Sequence, residues 1–393
     1  MTTPDIHAGA RLPWDAADPY PFYEARRRHG DIVWDDTAGA WLILGYHPAR
    51  LILAGSGWTS DPLANPNTPA ALRATDPDIL RRNILFSDGA DHQRLRRAVR
   101  DVFTRSFIAD LREGIATIAA HTIDSLPAGV EFDFMTEIAL PLPIAVAAAW
   151  MALDIDTARL LREESPAITA MLANSSDLSG IENGTDAIAT LLTEFLPLAA
   201  DRRAHPSDDL LSYLAADTDL ELDDIVTTAI IIAIAGHETT ANLLGAAMIR
   251  LMTPQVDDIA PIETIDAIDD RLITELLRLD GPVQAVMRTA TRDHVFDEIV
   301  IGKGEPALVV LAAANRDPTV FTKPDQIQLH RPGPAPLSFG HGAHYCLGAA
   351  LTRLETTITL NQLVLRRPLL TGAATWRDNP ALRGPQTLPC AFT

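Results

Sequence analysis

Apolar residues recur at helical spacing along most of the chain and cluster in short runs over a smaller part of it. The helical spacing extends from about residue 92 to residue 250, and Pro, Gly, Asn and Ser interrupt it near 126–129, 174–184 and 205–208. A further helix is predicted over 14–29. The pattern therefore predicts a mainly α-helical protein.

Extended structure is predicted in two regions. Residues 32–34 and 40–44 are rich in Ile, Val, Trp and Leu around a short turn, which is typical of a strand pair. Residues 282–312 carry β-branched and apolar runs, which indicate a small sheet, whereas 57–86 are predicted to be irregular with one short helix. We therefore predict one domain over 1–393, mainly α with a minor β region.

The longest apolar run covers 225–235 and resumes at 241–252, after a polar centre at 236–240. A membrane span needs about 20 predominantly apolar residues, and the polar centre favours a helix buried in the protein core instead. Residues 1–31 contain charged residues throughout and no sustained apolar run. We therefore expect a soluble, cytoplasmic protein with no membrane span.

Charge and cysteine content narrow the function classes. The chain has 52 Asp and Glu against 32 Lys and Arg, a net charge of -20, which argues against nucleic acids and anionic membranes as partners. Its two cysteines, Cys346 and Cys390, are too few for a disulfide framework. Cys390 follows Pro389 near the C-terminus and is predicted to be a packed strand residue.

Cys346 lies in the glycine-rich segment 339–348 (FGHGAHYCLG), just before a predicted helix that begins near Leu347. Gly342 and Gly348 allow close backbone approach, so that amide N–H groups can point at the sulfur, and the positive end of the helix lies beside it. We expect these features to lower the thiol pKa and to make Cys346 a thiolate ligand suited to haem iron.

Two other interpretations of Cys346 are possible. A lone cysteine in a loop is often a small buried apolar residue. Alternatively, His341, His344 and Cys346 could begin a zinc site, although structural zinc normally takes four Cys or His ligands and the sequence offers no second cluster.

The spacing of Phe339, Gly342, Cys346 and Gly348 resembles the signature of the cytochrome P450 family of haem-thiolate monooxygenases. The resemblance implies a single-domain cytochrome P450 fold, with haem b between a long central helix and the loop that carries Cys346 as axial ligand. It also assigns Phe339, Gly340 and Gly348 to the haem-binding loop.

Polar residues stand in the middle of the apolar run, at Ala235-Gly236-His237-Glu238-Thr239-Thr240. Buried charge is costly unless it is paired or functional, and a threonine can bond a carbonyl one turn back and loosen a helix. The small Ala235 and Gly236 would open a groove for a flat ligand or O2. The segment resembles the family's acid–threonine motif, which implies that Glu238 relays protons and Thr239 positions them near the oxygen; a simple helix kink is the alternative.

Two further sets of residues resemble family features. Glu275 and Arg278 share one helix face and, with Arg331 from a later irregular segment, resemble the family's Glu-x-x-Arg group that holds the ligand loop in place. A second set resembles the contacts to the haem propionates, although a solvated arginine run is the alternative: His92, Arg96, Arg288 and His344.

The regions that contact substrate in the family are predominantly apolar in this chain, which favours a lipophilic substrate. The predicted pocket residues are Leu85, Phe86, Met171, Ile231, Ile232, Ala235, Val283 and Val286, with Gln284 and Asn174 as possible polar anchors.

The resemblance implies a monomeric monooxygenase that inserts one atom of O2 into its substrate by hydroxylation, epoxidation or demethylation. No flavin or iron–sulfur segment is recognisable, so electrons are expected from a ferredoxin and an NAD(P)H-dependent reductase. The predicted docking residues are Arg94, Arg97 and Arg100, which we expect to be free for solvent. The alternatives are a haem-thiolate gas or redox sensor and a peroxide-driven enzyme; an intact Glu238–Thr239 pair favours the O2-dependent enzyme.

Overall fold

A computed structural model describes residues 12–68, 72–73, 82–173, 178–254, 261–264 and 268–393. Within these residues most of the chain is helical, as the spacing of apolar positions predicts. The α-helices are α1 Tyr20–Arg27, α2 Tyr46–Leu53, α3 Gly89–Arg100, α4 Arg105–Asp110, α5 Arg112–Asp124, α6 Pro141–Trp150, α7 Ile155–Ala173, α8 Leu178–Ala204, α9 Leu210–Ala215, α10 Leu222–Met252, α11 Pro261–Thr264, α12 Asp270–Asp280, α13 Leu311–Ala314 and α14 Ala349–Leu365.

The strands form four small sheets among the described residues. The largest has the order β1-β2-β8-β5-β3, in which β2 and β8 are parallel and the other neighbours are antiparallel; β4-β12-β9, β10-β11 and β6-β7 form the others. The strands are β1 Ile32–Asp35, β2 Ala40–Ile43, β3 Trp58–Thr59, β4 Glu131–Asp133, β5 Val286–Ala290, β6 His294–Phe296, β7 Ile299–Ile301, β8 Pro306–Val309, β9 Pro368–Leu370, β10 Thr375–Trp376, β11 Pro385–Thr387 and β12 Pro389–Phe392.

Helix α10 runs through the core of the molecule. It begins with a capping box, in which the Glu221 and Asp224 side chains each accept a hydrogen bond from the other residue's backbone N–H. The helix is long and apolar enough to cross a membrane, but 78% of its most apolar window is buried inside the protein. Since a core helix of a soluble protein passes the same test, burial rather than lipid explains the apolar run.

The mainly α prediction with a minor β region is confirmed, and so is the hairpin of β1 and β2, whose register pairs Ile32 with Ile43. The strands expected over 282–312 are present as β5 to β8, but they do not form one small sheet: β5 and β8 join the five-stranded sheet, and β6 pairs with β7. The break expected over 174–184 is wrong in its second half, because α8 begins at Leu178; residues 174–177 lie outside the described residues. Cys390 is fully buried in β12, as expected.

Candidate active site

The loop that carries Cys346 is shaped by two glycines with positive φ. Gly340 has φ 72° and Gly342 has φ 76°, a backbone region that L side chains rarely adopt. A Cβ added at Gly342 would lie 2.4 Å from the carbonyl oxygen of Leu53 in α2, so the loop depends on glycine there for close packing as well. Gly348 has an ordinary φ of -75° and precedes α14 as its N-cap.

The Cys346 sulfur is surrounded by backbone donors. The backbone N–H groups of Gly348 and Ala349 donate towards the thiol. The backbone N–H of Cys346 donates to the carbonyl of Phe339 at 2.9 Å. Arg96 adds a positive charge from α3. The residue as a whole keeps accessible surface, although its thiol lies among protein atoms.

The expectation that the loop lowers the thiol pKa is wrong for the protein chain itself. Burial among protein atoms raises the pKa of Cys346, and the two amides and Arg96 offset this only in part. A coordinated metal cation deprotonates a thiol outright, so the thiolate form depends on the metal rather than on the loop alone.

The segment 235–240 of α10 has one face that is open and one face that is buried. Ala235 is exposed and Gly236 and Thr239 are partly exposed, although the flanking turns of the helix are buried. A Cβ added at Gly236 would meet no atom within 4 Å. The Thr239 hydroxyl donates to the Ala235 carbonyl at 2.7 Å, which leaves the hydroxyl oxygen free to accept a hydrogen bond. We call this open face of α10, formed by Ala235, Gly236 and the polar Thr239, the Thr239 groove.

Glu238 faces away from the groove and is buried, with 5% of its surface exposed. Its Oε2 lies 3.3 Å from Nη1 of Arg377, which follows β10 at the C-terminal end of the chain. Burial raises the pKa of Glu238, and the Arg377 cation opposes this shift. Sequence reasoning missed Arg377, because a lone arginine 139 positions away in an irregular segment carries no motif signal.

His237, the remaining polar residue of this segment, has both ring nitrogens engaged. Nδ1 lies 2.9 Å from the Ser165 hydroxyl in α7, and Nε2 lies 3.0 Å from the carbonyl of Leu140. Because a carbonyl only accepts, Nε2 carries the proton and Nδ1 accepts from Ser165. Burial lowers the pKa of His237 to about 4, so the ring is neutral and acts as a fixed strut between α10 and α7.

Four residues from three separate parts of the chain, α3, β5 and the Cys346 loop, meet at one place. The rings of His92 and His344 lie 4.2 Å apart, and Arg96 and Arg288 are close enough to lower the pKa of His92, which burial and its neighbours bring to about 4. Arg96 also donates to the Tyr345 carbonyl at 2.8 Å. The structure thus brings together His92, Arg96, Arg288 and His344, which the sequence analysis grouped as carboxylate contacts.

One atom of this cluster points to an acidic ligand. Nε2 of His92 is buried and has no hydrogen-bond partner among the described residues, a costly arrangement unless an acceptor occupies the site. His344 is partly committed, because its Nε2 lies 2.9 Å from Asp88. The two arginines supply the positive charge for binding carboxylates, so His92 needs only to donate a hydrogen bond.

Glu275 and Arg278 of α12 form one buried group with Arg331, which comes from the irregular segment that follows α13. The Glu275 carboxylate accepts from Arg278 at 2.7 and 3.0 Å and from Arg331 at 3.0 and 3.1 Å. It also accepts from the backbone N–H of Gln328 at 2.8 Å, which fixes the irregular segment that follows α13. These hydrogen bonds hold the pKa of Glu275 below its usual range despite burial.

Comparison with known proteins identifies the family. The family model described as Cytochrome P450 matches residues 192–367. Over 401 residues the chain is 32% identical to the Cytochrome P450 monooxygenase PikC of Streptomyces venezuelae, covering 95% of this chain and 91% of the relative. The chain belongs to the cytochrome P450 family.

Solved structures agree with this assignment. The ligand-free CYP164A2 of Mycobacterium smegmatis is 31% identical, covers 95% of this chain and 96% of its own, and superimposes with a TM-score of 0.84. P450BioI, solved in complex with a hexadec-9Z-enoic acid ligated acyl carrier protein, is 28% identical, with 95% and 98% of the two chains covered and a TM-score of 0.86. The expected cytochrome P450 fold is confirmed.

The protein is therefore a cytochrome P450 monooxygenase with haem b and an axial cysteine thiolate as its cofactor. Its family uses a redox partner, O2 and lipophilic substrates. The described residues fit haem: Cys346 is accessible whereas Cys390 is fully buried, Ala235 and Gly236 leave a flat surface on α10, and the orphaned His92 nitrogen lies in a cluster suited to propionates.

The predicted docking arginines of this cytochrome P450 do not all reach solvent. Arg97 and Arg100 are exposed on α3, although Arg100 is paired with the exposed Asp101 at 3.2 Å. Arg94 contradicts the expectation, because its Nη1 lies 2.7 Å from Asp224 in the first turn of α10. The ion pair forms since Asp224 is buried at the start of that helix and needs a positive partner.

The predicted substrate-pocket residues are spread over several apolar clusters. Phe86 and Met171 pack with Leu72 and Ile181, whereas Ile231 and Ile232 belong to the large core around α7 to α10. Val286 lies in β5 of the five-stranded sheet, Val283 packs against the same apolar cluster, and Leu85 is exposed.

One of the two proposed polar anchors, Gln284, makes its hydrogen bonds within the protein. Gln284 is buried and its amide is already used, because Oε1 accepts from the Tyr23 hydroxyl at 3.2 Å and Nε2 donates to the Gly281 carbonyl at 2.8 Å. The expectation that Gln284 is an anchor is therefore wrong. Asn174 lies outside the described residues.

Proposed function

We propose that this cytochrome P450 inserts one atom of O2 into a lipophilic small molecule, with two electrons passed from NAD(P)H through a reductase and a ferredoxin. When bound through Cys346, haem supplies the redox-active iron at which dioxygen is reduced. The observation that carries the proposal is the arrangement of α10, where a partly exposed Thr239 and the exposed Ala235 lie beside a buried acid, Glu238.

The protein's own contribution to this chemistry is the handling of protons. The Thr239 hydroxyl hydrogen is committed to the Ala235 carbonyl at 2.7 Å, so its oxygen acts as an acceptor that orients a proton donor in the groove. Glu238 is the nearest acid in the sequence, and burial holds its pKa above the usual range. A carboxyl with a raised pKa is better able to carry a proton at neutral pH.

The positive cluster beside the loop would hold the cofactor's carboxylates. Arg96 and Arg288 supply the charge, and the free Nε2 of His92 supplies a hydrogen bond. Glu275, Arg278 and Arg331 would keep the loop in position rather than take part in the chemistry.

We infer that the ferredoxin docks on the face of α3 that presents Arg97 and Arg100. Arg96, on the same helix, donates to Tyr345 next to Cys346, so this helix lies against the ligand loop. A small acidic protein would be repelled by a net charge of -20 unless positive charge is arranged locally. Arg94 is not part of this surface, because it is paired with Asp224.

We also infer that residues 1–393 act as one domain and as a cytoplasmic monomer. The apolar helix α10 is mostly buried in the protein, and curated relatives match 95% of this chain from end to end. The burial of α10 supports a chain without a membrane span, and the match over 95% of the chain supports one domain.

The test of the proposed function is the Thr239→Ala variant, assayed with ferredoxin, reductase and a substrate found by screening for ligands that shift the ferric haem spectrum. The variant should bind haem and substrate as the wild type does, but divert electrons to peroxide, so that product formed per NAD(P)H consumed falls several-fold. An unchanged ratio would remove Thr239 from the mechanism. Turnover driven only by added peroxide would favour the peroxide-dependent alternative.

A further inference from the structure

Glu238 is held from outside its own helix by the segment that joins β10 to β11. Arg377 follows β10 directly, and its backbone N–H donates to the carbonyl of Gly384 at 3.2 Å across the turn. The Arg377 side chain is 25% exposed, whereas that of Glu238 is 6% exposed. The ion pair therefore runs from the buried face of α10 to the solvent side of the hairpin.

This segment is fixed in place, so the position of Arg377 is set by the fold. The indole N–H of Trp14 donates to the Pro380 carbonyl at 2.8 Å, and the N–H groups of Gln284 and Arg383 tie the same turn to the segment before β5. Asn379 accepts from the amides of Ala381 and Leu382 at 3.1 and 3.0 Å. An arginine on such a segment has a defined direction rather than a freely moving one.

The hairpin is also fitted to the face of α10 that carries Glu238. Asn242 lies four residues after Glu238 and thus on the same face of the helix. A Cβ added at Gly384 would lie 2.1 Å from Cγ of Asn242, so only glycine allows this approach. The contact places Arg377, Gly384 and Asn242 around the acid.

Several polar atoms around this contact have no partner. Nε of Arg377 and both side-chain polar atoms of Asn242 are buried without a hydrogen bond among the described residues. Buried polar groups in proteins are normally satisfied by protein or by ordered water. Unpaired polar atoms beside the partly exposed Arg377 favour water as the partner of this site and as the source of its protons.

We propose that Arg377 is a positioning residue that holds the Glu238 carboxylate at the hairpin and sets the pH at which Glu238 takes up a proton from solvent on that side. The inference rests on the proposed role of Glu238 as the proton-relay acid. Successive helix residues point about 100° apart, so a carboxylate held by Arg377 points away from the Thr239 groove. Glu238 receives one proton from water and separates from Arg377 once neutral. When it passes that proton to the hydrogen-bonded groups that the Thr239 hydroxyl orients, it becomes a carboxylate again and returns to the pair.

The other charged groups around Glu238 leave Arg377 as its main partner. His237, on the same helix, is neutral and bonded to Ser165 and Leu140. Arg162 on α7 faces His237, whereas Arg377 is the cation that acts on Glu238. Removal of Arg377 should therefore leave burial as the dominant influence and keep Glu238 protonated to higher pH.

The experiment is an infrared titration of the Glu238 carboxyl C=O stretch in the ferric protein, identified as the band that Glu238→Gln removes. Arg377→Gln should move the titration midpoint upward by one pH unit or more, a tenfold or larger change in the protonated fraction ratio. Arg377→Lys, which keeps the charge but loses the guanidinium geometry of the pair, should still move it upward, by a smaller amount. Arg162→Gln is the matched control and should leave it unchanged.

A midpoint that is the same in the wild type and in Arg377→Gln would overturn the inference, as would a larger shift in Arg162→Gln. If Arg377→Gln does not fold, Arg377→Lys still decides the matter, because a midpoint unaffected by the changed ion-pair geometry contradicts the assignment. The proposed function fails separately: product formed per NAD(P)H would then be unchanged in Glu238→Gln, whatever the infrared titration reports.

Discussion

Replacement of Glu275 by Gln tests whether the buried group of Glu275, Arg278 and Arg331 holds the Cys346 loop in place. Glutamine has the shape of glutamate, but it lacks the charge and turns an NH2 group towards donors. In the wild type the carboxylate accepts from Arg278, Arg331 and the backbone N–H of Gln328. Only 1% of the Arg278 side chain and 8% of the Arg331 side chain are exposed.

The expected loss follows from this burial. Removing one partner of a buried ion pair costs about 3–5 kcal/mol, because the remaining charge is left without compensation. Two guanidinium groups lose their carboxylate in this variant, so we expect a loss at the upper end of this range. That is a large part of the roughly 5–15 kcal/mol that stabilises a typical domain.

The assay combines urea unfolding with the haem spectrum of the purified protein. Glu275→Gln should unfold at much lower urea and lose the haem-thiolate spectrum in parallel, because the loop and the irregular segment lose the same anchor. Asp270→Asn on the same helix is the matched control: its pair with Arg353 is at the surface, with 77% of the Asp270 side chain exposed, and should cost less than about 1 kcal/mol. A loss below about 1 kcal/mol in Glu275→Gln, with the haem spectrum intact, would refute the reasoning.

Three further predictions concern docking, pH dependence and the loop backbone. Arg97→Glu should slow ferredoxin-dependent haem reduction at low salt and match the wild type at high salt; equal rates at low salt would contradict the docking surface. Burial raises the pKa of Glu355 to about 8 from an ordinary 4.5, so the folded state binds more protons than the unfolded state between these values. The free energy of unfolding should therefore fall as pH rises from 4.5 to 8, by on the order of 4 kcal/mol. Glu355→Gln should flatten this slope, and an unchanged slope would exclude Glu355 as its cause. Gly342→Ala should cost more stability than Gly304→Ala, since both have positive φ but only the first would meet the Leu53 carbonyl; equal losses would show that the close approach does not matter.

The sequence predicted those features that depend on local pattern or on a contiguous motif. The helical spacing gave α10, and the β-branched runs gave the hairpin of β1 and β2, because side-chain periodicity reflects which face is buried. The segments 235–240 and 339–348 could be singled out because polar residues interrupt an apolar run in the first and glycines cluster before a helix in the second. The exposure of Arg97 was predicted for a similar reason, because helix geometry points it to solvent.

The rest depended on long-range contacts that no local pattern records. Arg94 was expected in solvent but pairs with Asp224, and Gln284 was expected in the pocket but bonds Tyr23. The Cys346 pKa was misjudged because the local amides were weighed without the burial that surrounds the thiol. Arg377, which meets Glu238 across the fold, could be found only from the structure.

The central claim is that Cys346 supplies the axial thiolate to haem, and the reduced carbon-monoxide difference spectrum tests it most directly. Cys346 is accessible and receives backbone donors, whereas Cys390 is fully buried in β12. The wild type and Cys390→Ser should both give the red-shifted Soret band typical of thiolate ligation, and Cys346→Ser should lose it. Retention of that band in Cys346→Ser, or its loss in a folded Cys390→Ser protein, would contradict the account.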